Sequence, residues 1–492
     1  MDKKDYGDFQ TPWLLADAIC SILEKDFALG GFTSIIEPTC GTGNFLFAAA
    51  CHWGSSCRDI IGIELNPEYC IETEKFQKRF NRLSVIHANI FGLPTKPYLM
   101  NPAKVLIIGN PPWADISGIH ENHPMKKAQE NLKGLENLTG ASNIDIGWFI
   151  IMQLAREYQK SDTTIAMLCK TSAARKVFLS LVEENIPFKS FDIMEIEAKD
   201  WFSVEVHGSL MVARLSDTEE SANTMTYTDM GGNKKIFYAQ HGLIVEDGKY
   251  LGKCSMEWRQ GVKHDLKNVM EFSVIEHGLL NGLGESAELE EGLLFPLANS
   301  VSLKHPIVFD YDKKILITQR KLNEDTSYIE KEFPFTWRYL YKHRTQFLGR
   351  KSSIYRNTPD FSLFGIGAYS FSPYKVAIYG FRKKPFFSLL MPENGKPAMI
   401  GDTSYFLPFD DYGKALVVML LLNSKKVTDF LSTLAFPDSK RPFTKKILSK
   451  IDFSKIMQDV SFEELQKLKE EFDIQGSLEI SDYEAVKKIA AL

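Results

Sequence analysis

The sequence Asn110-Pro111-Pro112-Trp113 combines a polar residue, two prolines and an aromatic residue, which could form a rigid, open turn over the edge of a sheet. It follows the apolar run Lys104–Gly109, so the two prolines are expected to form a rigid turn at the end of a strand. The side-chain oxygen of Asn110 and the carbonyl oxygen of Pro111 would be neighbouring acceptors, and Pro111 has no N–H group to compete with them. Trp113 would add a flat ring for stacking. An Asn-Pro-Pro sequence can also simply end a strand.

A second group of residues is typical of a site for a nucleotide-like cofactor. Gly41 and Gly43 lie in a turn between a short apolar strand, Ser34–Glu37, and a predicted helix, which lets the backbone approach a ligand closely. The turn lacks the ending of a phosphate loop and the third glycine of the dinucleotide fingerprint. Glu64 lies about 20 residues further on and suits the two hydroxyls of a ribose. Asn89 could read the edge of an adenine ring.

These residues follow successive predicted strands in the first half of the chain. Predicted helices alternate with predicted strands, in the order helix Leu14–Leu23, strand Ser34–Glu37, helix Asn44–Cys51, strand Asp59–Glu64, helix Pro67–Asn81, strands Leu83–His87 and Lys104–Gly109, helix Asp145–Gln159 and strand Thr164–Cys169. This alternation predicts an α/β fold with a doubly wound, mostly parallel sheet. Such sheets bind ligands beyond the carboxyl ends of their strands, so we expect both turns at one edge.

The character of the sequence changes after Leu215. The segment Ser216–Asn233 is polar and turn-rich, which predicts a boundary between a first domain, 1–215, and a second domain, 216–492. The second domain contains short β-type and helical patterns, namely Pro306–Tyr311, Ile315–Thr318, Tyr374–Tyr379, Gly413–Leu434 and Ser461–Phe472. We therefore predict a mixed α+β architecture for the second domain.

Composition narrows the class of protein. The 492 residues are 44% hydrophobic and 25% charged, as in ordinary globular proteins. Seven cysteines without a Cys-x-x-Cys pair argue against a disulfide scaffold or a zinc ribbon and indicate a reducing cytoplasm. No apolar run reaches the ~20 residues of a membrane helix, and no apolar signal segment follows the charged N-terminus. His120 and His123 lie in a polar stretch without a nearby cysteine, so we expect no metal site.

Charge is unevenly distributed along the chain. The net charge is −5, yet residues 301–400 contain 17 Lys and Arg against 8 Asp and Glu. Cations there alternate with hydroxyl and aromatic side chains, a mixture that suits contacts to nucleic-acid phosphates. The same clusters could form an ordinary solvated surface. The candidates for DNA contact in this region are Arg344, Arg350, Lys351 and Lys383.

In this combination and order, the motifs resemble the gamma-type S-adenosylmethionine-dependent amino-methyltransferases of DNA, in particular the TaqI-like N6-adenine enzymes of restriction-modification systems. The resemblance covers about residues 6–215. It implies a class I methyltransferase fold, S-adenosyl-L-methionine as cofactor, double-stranded DNA as substrate and a C-terminal target-recognition domain. The matching motifs are Gly7-Asp8-Phe9-Gln10-Thr11-Pro12, Glu37–Phe45, Glu64, Asn89 and Asn110–Trp113, with Arg259–His264, Pro373–Val376 and Asp402–Tyr405 similar in outline to a specificity domain.

The resemblance also implies roles for individual residues. The implied catalytic residues are Asn110, Pro111, Pro112 and Trp113. The implied cofactor-binding residues are Thr11, Pro12, Glu37, Pro38, Gly41, Gly43, Glu64 and Asn89. The implied contacts to the target base or to DNA are Phe202 (or Trp201), Arg259 and Lys263, although Phe202 could also be a core residue. Lys170 follows the predicted strand Thr164–Cys169, where it could touch the base or a phosphate or could equally be a solvated lysine.

The chain departs from the family pattern at two positions. Asn89 stands where the family usually has Asp, which removes a charge from the cofactor site. Trp113 stands where Tyr or Phe is commoner, and its larger ring can still stack on a base.

The implied reaction is methyl transfer to the N6 amino group of an adenine that has been flipped out of the duplex. Three alternatives stay open: methylation of the cytosine amino group, a protein-glutamine methyltransferase, and a non-catalytic DNA-binding subunit that retains the fold. The basic second half argues against the protein methyltransferase, and the intact Asn110–Trp113 sequence argues against the non-catalytic subunit. We expect a cytoplasmic monomer in a restriction-modification or phage-defence setting, with a separate restriction endonuclease or defence-system protein as a candidate partner.

Overall fold

The computed structural model describes residues 10–113, 145–197, 201, 207–276, 278–436 and 438–491. The chain forms two compact units, Met1–Glu246 and Asp247–Leu492. The boundary thus lies at Glu246 rather than at Leu215, where the sequence predicted it. The turn-rich segment after Leu215 is not a linker, because it leads into three strands that extend the sheet of the first unit.

The first unit contains one sheet flanked by helices. Its strands are β1 Ser34–Glu37, β2 Asp59–Glu64, β3 Leu83–His87, β4 Val105–Gly109, β5 Thr163–Lys170, β6 Phe188–Ile196, β7 Gly208–Leu215, β8 Thr224–Thr228, β9 Lys234–Gln240 and β10 Leu243–Val245. Its described α-helices are α1 Trp13–Lys25, α2 Asn44–Trp53, α3 Pro67–Glu74, α4 Ile146–Glu157 and α5 Thr171–Glu183. The helix predicted as Pro67–Asn81 is shorter, since a 3₁₀ turn, Lys75–Lys78, takes over from α3.

The sheet confirms the doubly wound fold. Its strand order is β10-β9-β8-β6-β7-β5-β4-β1-β2-β3. The five strands from β3 to β5 are parallel to their neighbours, and β7 pairs antiparallel with both β5 and β6. The chain leaves β1 toward β2 on one side, while β4 lies on the other side. This switch point between β1 and β4 is where doubly wound sheets bind their ligands.

Strands β1 and β4 lie in the hydrophobic core of the first unit. Every residue of β1 and of β4 is buried, which is typical of parallel strands covered on both faces. On one face, Leu106 and Ile108 of β4 belong to a core cluster with the apolar residues of α1 and α2. The glycine turn and the turn at Asn110 therefore follow two fully buried strands, which hold them in fixed positions.

The second unit matches the predicted mixed α+β architecture. One sheet has the order β11-β21-β18-β19-β16 and the other the order β14-β13-β12-β17-β15-β20. The strands are β11 Arg259–Gln260, β12 Glu271–Ile275, β13 Gly278–Asn281, β14 Ser286–Ala287, β15 Leu294–Ala298, β16 Ile307–Val308, β17 Lys313–Leu316, β18 Tyr374–Tyr379, β19 Ser388–Leu390, β20 Met399–Ile400 and β21 Ser404–Phe409.

The helices of the second unit lie mainly near its C-terminus. They are α6 Lys267–Met270, α7 Tyr328–Glu332, α8 Pro334–Lys342, α9 Arg344–Leu348, α10 Tyr412–Asn423, α11 Lys425–Thr433, α12 Lys445–Leu448, α13 Phe453–Asp459, α14 Phe462–Glu471 and α15 Ile480–Ala490. Helix α10 is buried on all sides, which accounts for the longest apolar run of the sequence. Within the described ranges, no helix is long and apolar enough to cross a membrane.

Candidate active site

The predicted site residues of the first unit lie at one edge of the sheet. Asn89 follows β3, Glu64 ends β2, the glycine turn follows β1, Asn110 follows β4 and Lys170 ends β5. Because these five strands are adjacent and parallel, their carboxyl ends meet at the same edge. The prediction that the glycine turn and the turn at Asn110 share an edge is confirmed.

The glycine turn requires its glycines. Gly41 and Gly43 have φ angles of +52° and +82°, in the left-handed region that other residues rarely adopt. A Cβ atom at Gly41 would clash with the side-chain amide of Gln10, and one at Gly43 would clash with Thr73. The Thr73 hydroxyl also donates a hydrogen bond to the Gly41 carbonyl at 2.9 Å. The backbone of this turn is therefore packed closely from both sides.

Glu64 links the glycine turn to the end of β2. Its carboxylate accepts hydrogen bonds from the backbone N–H groups of Gly41, at 2.8 Å, and Asn66, at 2.7 Å. Each carboxylate oxygen has a second lone pair, so both can accept a further hydrogen bond from a ribose hydroxyl.

Asn89 is held in a defined orientation by its own turn. Its side-chain oxygen accepts a hydrogen bond from the Phe91 N–H at 3.0 Å. The Gln153 amide of α4 donates to the Ile90 carbonyl at 2.8 Å and fixes the loop from the side. The amide nitrogen of Asn89 makes no hydrogen bond to the described residues. Asn89 can therefore offer donors to the acceptor nitrogens of an adenine, which an Asp in its place could not do.

Glu37 lies between the glycine turn and the end of β4. It is 3% exposed, and its carboxylate accepts a hydrogen bond from the Leu46 N–H of α2 at 2.7 Å. A Cβ atom at Gly109 would come within 3.2 Å of the Glu37 side chain. Burial, together with the charge of Glu64, raises the pKa of the Glu37 carboxyl well above its ordinary value. Pro38, the next residue, is also buried.

The turn at Asn110 is fixed by both ends of the Asn110 side chain. The amide nitrogen donates to the Thr11 hydroxyl at 3.2 Å, and the amide oxygen accepts from the Trp113 indole N–H at 2.7 Å. Pro111 is buried, and its carbonyl oxygen accepts no hydrogen bond from the described residues. The oxygens of Asn110 and Pro111 thus remain two acceptors on successive residues of one rigid turn.

The segment before α1 connects the two turns. The Thr11 carbonyl accepts a hydrogen bond from the Asn44 side chain at 2.9 Å, and Pro12 caps the N-terminus of α1. The Gln10 side chain accepts from the backbone N–H of Thr42 at 2.9 Å. Gln10 and Asn44 were not among the predicted site residues, although both lie inside motifs that the sequence analysis identified.

Lys170 is a mostly buried member of an ion pair. Its ammonium group lies 2.9 Å from the carboxylate of Asp145, and the two side chains are 18% and 15% exposed. Asp145 also caps α4 by accepting a hydrogen bond from the Trp148 N–H at 3.0 Å. Asp145 was predicted as the start of a helix but not as a site residue, although an Asp directly before an apolar helical pattern is a signal for a cap. Phe202 lies outside the described residues, and Trp201 is 39% exposed.

Arg350, a predicted DNA contact of the second unit, is half-buried and contacts residues of its own unit. Its guanidinium donates to the carbonyls of Ser362, at 2.7 Å, and Phe347, at 3.1 Å, and lies 3.6 Å from the centre of the Tyr355 ring. Burial lowers the pKa of this guanidinium. These contacts give Arg350 a structural role in its unit.

Three of the other predicted cations form ion pairs, and two are exposed. Arg344 forms an ion pair with Asp360 at 2.9 Å, Lys263 one with Asp265 at 2.7 Å, and Arg259 one with Glu257. The Lys383 ammonium is exposed and donates to the Ser439 carbonyl at 2.9 Å. Lys351 is exposed and makes no hydrogen bond or ion pair to the described residues.

In the described parts of the chain, no three His, Cys, Asp or Glu side chains are grouped as metal ligands. His120 and His123 lie outside those parts.

Two known proteins are similar to this chain over nearly its whole length. The type II methyltransferase M.NspV from Nostoc sp. (strain ATCC 29411 / PCC 7524) is 36% identical over 476 residues, which cover 92% of this chain and 96% of the relative. The structure of the type IIL restriction-modification enzyme MmeI in complex with DNA is similar in fold, with a TM-score of 0.51 at 14% identity, over 97% of this chain and 76% of MmeI. No model of a protein family matches the chain.

The residues at the sheet edge fit the cofactor of such enzymes. S-adenosyl-L-methionine carries positive charge, and the buried carboxylate of Glu37 lacks a cation among its described contacts. Glu64 and Asn89 offer the acceptors and donors that a ribose and an adenine ring need. S-adenosyl-L-methionine is the cofactor of this protein. The chain therefore belongs to the type II methyltransferases, the DNA methyltransferases of restriction-modification systems.

Proposed function

We propose that this protein transfers a methyl group from S-adenosyl-L-methionine to the N6 amino group of an adenine flipped out of double-stranded DNA. The observation that carries the proposal is the pair of acceptors formed by the Asn110 side chain and the Pro111 carbonyl. They lie on one rigid turn at the switch point of the sheet, next to the strand that leads into the glycine turn.

These two acceptors suit the chemistry of an exocyclic amino group. The lone pair of such a nitrogen is delocalised into the ring, so the nitrogen is a poor nucleophile. Hydrogen bonds from its two hydrogens to Asn110 and Pro111 favour a pyramidal nitrogen, whose lone pair points at the methyl carbon. The nitrogen would then form a bond to the methyl carbon while the sulfur–methyl bond of the cofactor breaks; a neutral thioether would leave, and the methylated nitrogen would lose one proton to solvent. Because the pyramidal geometry belongs to the transition state, these hydrogen bonds raise the rate.

Trp113 would hold the flipped base. Its ring follows the two acceptors directly, packs against the core of the first unit and is partly exposed. Stacking of a base on an aromatic ring is worth about 1–3 kcal/mol, which offsets much of the few kcal/mol that flipping costs. Phe202 or Trp201 would lie against the other face of the base.

The cofactor would be held along the rest of the same edge. Glu64 would accept hydrogen bonds from the ribose hydroxyls, Asn89 would donate to the adenine, and Glu37 would face the positive charge. The sulfonium of the cofactor supplies an electrophilic methyl carbon. Thr11, Pro12, Pro38 and the two glycines would support these contacts mainly by fixing the shape of the turn.

The second unit would bind the DNA duplex. Lys351 and Lys383 are the predicted cations whose ammonium groups are exposed, so they are the best candidates for phosphate contacts. Arg259, Lys263 and Arg344 could exchange their present ion pairs for phosphates. We place the protein in the cytoplasm as a monomer, with its cognate restriction endonuclease as a candidate partner.

Methyl incorporation from labelled cofactor tests the proposal. Purified protein is incubated with duplex DNA, with RNA and with a protein extract. One portion of the methylated DNA is digested to nucleosides to identify the modified base, and another portion is sequenced to map the site. We expect label in duplex DNA alone and N6-methyladenine as the product. Detection of N4-methylcytosine would show that the target base is cytosine and not adenine. Label in protein or RNA alone would overturn the proposal.

A further inference from the structure

The side-chain amide of Asn110 could lie in either of two orientations, which exchange the positions of its oxygen and its nitrogen. Its amide is almost symmetric in shape, but one end accepts hydrogen bonds and the other end only donates them. If the nitrogen faced the target base, its hydrogens would oppose the hydrogens of the target amino group. The turn can therefore act on an amino group only when the oxygen end faces the base.

Two neighbours contact the two ends of this amide. The Thr11 hydroxyl is 3.2 Å from the amide nitrogen, and the Trp113 indole nitrogen is 2.7 Å from the amide oxygen. A hydroxyl can donate or accept, so Thr11 fits either orientation of the amide. An indole N–H can only donate, so Trp113 fits the amide oxygen and not the amide nitrogen. Of these two contacts, the one to Trp113 therefore distinguishes the two orientations.

We propose that Trp113 is a positioning residue for Asn110: its indole N–H holds the amide oxygen on the side of the target base, beyond any stacking by its ring. The inference rests on the proposed function. The amide oxygen has a second lone pair, so it can accept from the target amino group while it keeps the hydrogen bond to Trp113. A Phe at this position could stack on the base but could not select the orientation of the amide.

An isosteric analogue separates the N–H group from the ring. Benzothienylalanine, in which sulfur replaces the indole N–H, is introduced at position 113, and the same analogue at Trp337 of the second unit is the matched control. Binding is measured to duplexes that carry adenine, hypoxanthine or unsubstituted purine at the mapped target position. Hypoxanthine has an acceptor oxygen in place of the amino group, so its capture reports the orientation of the Asn110 amide. Single-turnover methyl transfer and cofactor affinity are measured on the same samples.

The expected result is a loss of discrimination without a loss of stacking. The preference for adenine over hypoxanthine should fall about 3- to 10-fold, the value of one neutral hydrogen bond, and the methyl-transfer rate should fall with it. Binding of the purine duplex and of the cofactor should stay within about twofold of the control, because neither contacts the amide oxygen. The free energy of flipping each base cancels, because the affinity of each duplex for the analogue is compared with the affinity of the same duplex for the wild-type protein.

Two results would overturn the inference: an unchanged preference for adenine, or a weakening of purine binding by the same factor, which would assign Trp113 to stacking alone. Wild-type protein that methylates adenine while the analogue behaves like the control refutes only this inference. Wild-type protein that transfers no methyl group to DNA refutes the proposed function as well.

Discussion

The candidate residues of the two units differ in what holds them. In the first unit they contact one another across long stretches of sequence: Asn110 and Thr11 are 99 residues apart, and Gly41 and Glu64 are 23 apart. In the second unit the predicted cations mostly contact near neighbours, as Arg344 does with Asp360. Motifs at the ends of successive strands specify a site, because the sheet brings those ends together. A high density of cations does not specify which of them face outward.

The largest effect outside the turn at Asn110 is expected at the cofactor site. Glu64→Ala should weaken cofactor binding about 10- to 100-fold, since it removes charge-assisted hydrogen bonds worth about 1.5–3 kcal/mol. Calorimetry measures the affinity, and Glu68→Ala is the control because Glu68 is exposed on the adjacent helix α3. Unchanged affinity in Glu64→Ala would mean that the ribose is bound elsewhere.

In the second unit, Arg350 should matter for stability. Arg350→Ala should lower the free energy of unfolding by about 2 kcal/mol, because two buried carbonyls lose a charged donor. Urea unfolding measures the change, with Lys351→Ala as the neighbouring exposed control. If Arg350→Ala were as stable as Lys351→Ala and bound DNA more weakly than the wild-type protein, the guanidinium would be a DNA contact and not a structural one.

The buried carboxyl of Glu37 should make cofactor binding depend on pH. Its pKa is raised in the free protein, and a bound cation would favour the ionised form, so binding should release a proton. Affinity should therefore rise with pH up to the raised pKa, by at most about tenfold per pH unit, and then level off. Calorimetry in buffers of different ionisation enthalpy counts the proton. Glu37→Gln should abolish the dependence; if it persists there, another group is responsible.

The smallest effect is expected at a single exposed cation. Lys351→Ala should weaken DNA binding on all sequences and reduce the slope of log affinity against log salt by about one. Fluorescence anisotropy across a salt series measures this slope. Lys467→Ala, an exposed lysine on α14, should leave the slope unchanged. Equal slopes for the two variants would remove Lys351 from the DNA-binding surface.

The parallel half of the sheet could be predicted from the sequence with nearly correct bounds. The predicted strands β1, β2 and β3 match the structure residue for residue, because short apolar runs between turn signals are distinctive. Strands β6–β10 and helix α5 were not predicted. Strands β8 and β9 are partly exposed and pair antiparallel with each other, so their sequence patterns resemble those of polar loops.

At the site, the sequence identified the residues but not their contacts. Spacing after each strand placed Glu64, Asn89 and Asn110 at the correct edge. The hydrogen bond from Asn110 to Thr11 and the ion pair between Lys170 and Asp145 could not be predicted, because they depend on how distant helices and turns pack. Tertiary packing likewise decides that Arg350 donates to the carbonyls of Ser362 and Phe347.

The rate of methyl transfer by Asn110→Ala at saturating cofactor decides whether the turn at Asn110 is catalytic. We expect the rate on duplex DNA to fall at least about 100-fold, as when an enzyme loses one preorganised hydrogen bond to its transition state. Cofactor affinity and DNA affinity should stay close to those of the wild type, because the cofactor and phosphate contacts lie on other residues. Near-normal methyl transfer by Asn110→Ala would show that the Asn-Pro-Pro-Trp sequence only ends a strand.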